Sequence, residues 1–113
     1  MHLSTWAWPL VVAMLAIVTA QHSAFAQDRK ALETGEAKLT VNCSGCHAIG
    51  RTGASPHPQA PPFRTLSSRY PIENLAEALA EGISVGHPDM PDFVFEPDEV
   101  GAILDYLKSI QER

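Results

Sequence analysis

Both cysteines of this 113-residue chain fall in one pentapeptide, Cys43-Ser44-Gly45-Cys46-His47, the feature that most restricts what the chain can fold into. Thiols three positions apart share one helical turn, and the next residue projects an imidazole from the same place. The residues leading in, 28–42, set Leu32, Gly35, Leu39 and Cys43 at steps of three and four, which is one face of a helix. A glycine inside a helix costs up to ~1 kcal/mol, so Gly35 calls for a packing reason. The spacing therefore predicts a helix that delivers both thiols and the imidazole to a single site.

C-x-x-C-H is the spacing of c-type haem attachment. Cys43 and Cys46 can reach two vinyl groups on a porphyrin edge, His47 can give the iron a nitrogen ligand, and the small Ser44 and Gly45 leave room for the macrocycle. Three other readings compete. A disulfide suits an exported protein, but here it closes a very short loop and leaves His47 without a role. A thioredoxin-like pair needs a strand before it, whereas a helix precedes Cys43. A zinc site needs four ligands, and His57 and His87 lie in proline-rich loops without a second cysteine pair.

The N-terminal stretch differs from the rest. Trp6 to Ala20 carries no charge, and Ala24-Phe25-Ala26 follows with the small-x-small pattern of a signal-peptidase site. We expect residues 1–26 to be a signal peptide and the mature chain, 27–113, to start at Gln27 in the periplasm or another exported compartment. The run is shorter than the ~20 residues of a membrane span and contains Pro9, so an uncleaved membrane anchor is the weaker reading. Met1 to Thr5 has no Lys or Arg, a departure from the usual signal pattern.

All eight Lys and Arg and all thirteen Asp and Glu follow Ala26, so the mature part keeps the net charge of −5. That balance disfavours nucleic acid, whose phosphates require a basic footprint; it suits a protein partner with a basic docking patch, or equally serves only to keep the chain in solution. Removing 26 residues from 113 leaves 87, a length at which small domains commonly need a cofactor, metal or disulfide to complete the core.

Beyond the motif, Ala48–Tyr70 is rich in Gly, Pro, Ser and Thr and reads as a loop. Pro71–Gly82 reads as a short amphipathic helix with Leu75, Ala78 and Leu79 on its inner face. A second loop, Ile83–Phe95, carries Met90 between Pro88 and Pro91, which exclude a helix and hold the backbone extended. A last helix begins near Pro97 and repeats Val100, Ile103, Leu104, Leu107 and Ile110 at helical steps. The expected fold is all-α, with helices near 29–46, 72–81 and 97–111, no sheet and no internal repeat.

From about Arg29 to its end the chain resembles the class I c-type cytochromes, the small bacterial mono-haem cytochrome c family. The residues that carry the match are the pentapeptide, Gly35 and Leu39 before it, the Met90-Pro91 pair, and the final pattern Ile103-Leu104-Asp105-Tyr106-Leu107. The resemblance implies one covalent haem c, three main helices wrapped around it, and Gly35 crossing the last helix near Ile103 or Tyr106. It matches Pro61 to the proline whose carbonyl accepts the proximal imidazole N–H, and sets Phe63 against the porphyrin. It also makes Met90 the second axial ligand opposite His47.

The residues alone leave His87, three positions before Met90, as a competitor, because imidazole and thioether both ligate haem iron. His57 is expected on the proximal side. With both axial positions filled, the expected role is electron transfer between redox partner proteins, not catalysis. The rivals are a dedicated haem subunit of a dehydrogenase or oxidase complex, and an open-site gas-binding or sensor protein. Trp6 and Trp8 both precede Gln27, so Tyr70, Arg64 or Arg69 would have to stand in for the tryptophan that often bonds a haem propionate.

Overall fold

A computed structural model describes residues 7–82 and 87–112, with side chains described from residue 21 onward. Met1–Trp6 of the expected signal and Ile83–Gly86 of the second loop lie outside the described residues. Contacts divide the chain into two units, Met1–Lys30 and Ala31–Arg113. In the element order, α1 is Ala7–Cys43, α2 is Leu75–Glu81 and α3 is Pro97–Ile110, with 3-10 helices at Phe63–Ser68 and Ile72–Asn74. No strand occurs among the described residues, and the fold is all-α.

The first helix starts at Ala7, not near residue 29. No glycine or proline occurs from Leu10 to Thr34, and Ala, Leu, Met and Gln favour the helix. Pro9 falls in the first turn, where its missing N–H costs nothing. Residues 21–30 are exposed throughout, Phe25 at 73 %. Among the described residues no helix is long and apolar enough to cross a membrane.

In the second unit, α1 turns its Leu32, Gly35, Leu39 and Cys43 face to the core, where Leu39 is 2 % exposed. Gly35 meets α3: a Cβ built on it would stand 2.7 Å from the Ala102 carbonyl carbon and 2.9 Å from Tyr106 Cβ. Only a residue without a side chain lets the two backbones approach this closely. From α3, Val100, Ile103, Leu107 and Ile110 supply the apolar stripe, with Ile103 fully buried. Glu99 fixes the start of α3 by accepting the Glu96 N–H at 3.0 Å, and it also pairs with Lys38 of α1.

The proline-rich stretch is not loop throughout. Phe63–Ser68 winds into a 3-10 helix, in which positions three apart eclipse each other, so Phe63 and Leu66 enter the core together. Pro62 starts it, its carbonyl accepting Thr65 Oγ1 at 2.8 Å and Thr65 N–H at 3.1 Å. Gln111, just past α3, ties this segment down. Its amide donates to the carbonyls of Phe63 at 2.9 Å and Leu107 at 2.7 Å, and its oxygen accepts Ser67 N–H at 2.8 Å.

The second helical region begins as the 3-10 turn Ile72–Asn74, continues as α2 and stops at Gly82, whose φ of +110° is unsuited to a side chain. The backbone around Met90 is likewise not extended as expected. His87–Met90 is a turn, closed by Met90 N–H on the His87 carbonyl at 3.1 Å. Pro88 occupies its second position, where a fixed φ is favourable. Further on, Phe95 N–H donates to Leu79 O at 2.9 Å, which seats Phe95 in the core and leaves Val94 68 % exposed.

Candidate functional site

The helix that delivers the pentapeptide ends at Cys43, three residues sooner than the sequence suggests. Beyond it the chain makes a turn on one acceptor: Cys46 N–H and His47 N–H reach the Cys43 carbonyl at 3.1 and 2.9 Å. Ser44 covers the helix end, donating its N–H to Leu39 O at 3.1 Å and its hydroxyl to Thr40 O at 2.6 Å. Cys43, Cys46 and His47 thus emerge from one turn, all half-buried.

Both thiols are free. Burial, and after it the neighbouring charge of a Cys46 thiolate, pushes Cys43 from 9.0 up to about 11, so it is a neutral thiol at physiological pH.

The loop after His47 folds back over the motif. His57 N–H donates to Cys46 O at 3.1 Å, Ala48 N–H to Ser55 Oγ at 3.0 Å, and Phe63 N–H to Ala48 O at 2.9 Å. These bonds set the Pro61 carbonyl 2.8 Å from His47 Nδ1. A carbonyl only accepts, so Nδ1 is the donor, and in the neutral imidazole the Nε2 lone pair is left as a ligand. Phe63 stacks on the imidazole, centroids 4.5 Å apart and planes at 30°, which fixes the ring plane.

Cys43, Cys46, His47, Pro61 and Phe63 are therefore brought together, with Phe63 against His47 itself. Met90 belongs to a separate element, the His87–Met90 turn, and is half-buried. Arg64 is committed elsewhere, to Glu112 Oε1 and Gly53 O, both at 2.8 Å. Arg69 is exposed, and Tyr70 packs against the core.

His57 and His87, expected on different sides of the site, meet edge to face with centroids 5.4 Å apart. Ser55, Gln59 and Gln111 hold the loops but carry no periodic or motif signal that would single them out.

These residues fit a covalent haem. Two free thiols and an imidazole whose Nδ1 is turned to the Pro61 carbonyl, leaving Nε2 as the nitrogen for iron, make the donor set, and a Cβ at Gly45 would meet nothing within 4 Å, so the macrocycle has an open approach beside the motif.

Compared with known proteins, the chain matches the family model Cytochrome c over residues 32–111. No curated protein and no solved structure matches it. The matched span runs from the first core residue of α1 through Gln111, and on that ground the chain belongs to the cytochrome c family, whose members attach haem c covalently and transfer electrons with it.

Proposed function

We propose that this chain is exported, is cleaved before Gln27, and shuttles single electrons between protein partners in the periplasm or an equivalent compartment. Cys43 and Cys46 would form the thioethers, with His47 and Met90 as the axial ligands. The observation that carries this reading is the 2.8 Å contact between His47 Nδ1 and the Pro61 carbonyl, which supports Nε2 as an iron ligand and fixes its direction. When bound, the haem supplies a one-electron ferric/ferrous couple. The chain's part is to hold the two ligands, exclude water and substrate from both axial positions, and present one edge of the site to partners.

Two features favour Met90 over His87 as the second ligand. His87 is turned toward the loop of His57, its Nε2 lying 2.6 Å from Gln59 Oε1 and its ring meeting His57 edge to face at 5.4 Å. Met90 is half-buried in a proline-stiffened turn, away from the helices and strands where core methionines usually lie. The net charge of −5 supports a donor or acceptor with a basic docking patch.

Met90→Ala should open the sixth position, abolish the ferric sulfur-to-iron charge-transfer band, lower the reduction potential and admit carbon monoxide to the reduced protein. If Met90→Ala leaves spectrum and potential unchanged while His87→Ala alters both, the ligand is His87. Replacing both cysteines by serine should remove haem staining from a denaturing gel. Retained staining refutes the attachment.

A further inference from the structure

His57 and His87 come from loops thirty positions apart in the chain, yet one ligand atom from each, together with a carboxylate oxygen of Asp89, lies within 4.8 Å of the others. From this cluster we infer a second metal site, separate from the haem, that takes a borderline divalent transition ion of the zinc and copper class. Two imidazoles and one carboxylate suit such ions and are a poor set for Mg²⁺ or Ca²⁺, which prefer all-oxygen shells.

The cluster is built by the backbone. Gln59 N–H points at His57 Nδ1 at 3.2 Å, and Asp89 N–H points at His87 Nδ1 at 3.3 Å. Each loop therefore orients its own imidazole with Nε2 turned away from its backbone. His57 Nε2 faces Asp89 Oδ2 at 3.5 Å, and His87 Nε2 faces the Gln59 side-chain oxygen at 2.6 Å. Both histidines are half-buried and Asp89 is exposed, which leaves the solvent side for a fourth ligand, water.

Binding through Nε2 moves each ring proton to Nδ1, which costs the two long backbone contacts. It also requires the donors to close to the ~3.3 Å separation set by bonds of ~2.0–2.1 Å around a tetrahedral zinc ion. Because His87 and Asp89 belong to the segment leading into Met90 and His57 to the loop that carries Pro61, the ion would join the two loops.

The test is calorimetric titration of the haem-loaded chain with Zn²⁺ alone, Mg²⁺ serving as the hard-ion control. The expected result is one saturable Zn²⁺ site, with affinity falling at least ~10-fold in His57→Gln and in His87→Gln, as loss of a ligand or its support commonly does. Circular dichroism confirms that each variant keeps its helices, and hydrogen exchange should slow at the amides of His57, Ala60 and Met90, whose backbone bonds close the two loops, when Zn²⁺ is added to the parent. Zinc affinity that survives the loss of either imidazole, or the absence of saturable binding to the parent, overturns the site. The haem spectrum of His87→Gln, unchanged from the parent, shows in the same variant that His87 is free of the iron, so that loss of zinc binding there reads this cluster and not the haem ligation.

Discussion

Gly35 lies directly against the backbone of Ala102, so close that a methyl group on it would stand 2.7 Å from the Ala102 carbonyl carbon. The obstruction is main chain, which cannot rotate aside as a long side chain can. Gly35→Ala must therefore push α1 and α3 apart, and overpacking of this kind costs roughly 1–3 kcal/mol. The melting temperature should drop by about 4–8 °C for each kcal/mol in a domain of this size. A thermal melt of Gly35→Ala that matches the parent would mean that the helices do not cross here.

Cys43 is half-buried at the end of α1, and burial with the Cys46 charge beside it raises its thiol to about 11. In the haem-free folded chain, alkylation of Cys43 should follow pH with a midpoint near that value, against 9.0 once the chain is denatured. The folded state then holds a proton that the unfolded state has released, so stability falls as pH rises from 9.0 to about 11. Below that window the thiol is neutral in both states and contributes no slope. Identical alkylation profiles in the folded and denatured chain would contradict the buried placement of Cys43.

Glu99 joins two elements at once, pairing with Lys38 of α1 and accepting the Glu96 N–H that opens α3. The Lys38 bond first, and the Glu96 N–H next, hold its carboxyl below the usual 4.5. A depressed carboxylate contributes stability above its unfolded value and loses it as pH falls through the lower folded one. Glu99→Gln should therefore be less stable than the parent at neutral pH, and the gap should close on acidification below 4.5. Melts across that range check it, and a gap that stays constant with pH would show that the charge on Glu99 is not what matters.

The parts of this protein that rest on local chemistry are legible in its sequence. Cys43, Cys46 and His47 mark the candidate haem turn by spacing alone, and the steps of Leu32, Gly35 and Leu39 and of Val100, Ile103 and Leu107 mark the two faces that pack. The proline at 97 and the glycine at 82 bound α3 and α2 where they fall. Each signal is short-range, set by 3.6-residue periodicity or by the restricted φ of one residue.

The tertiary structure decided what lies between them. Whether residues 63–68 coil depends on Gln111, 48 residues beyond Phe63, and where the Pro61 carbonyl points depends on bonds from Cys46 and Ala48 to the returning loop. The meeting of His57 with His87 likewise follows from how two loops pack. None of these pairings leaves a periodic trace, because an irregular loop satisfies its backbone polar groups with whichever distant donor or acceptor the fold brings near.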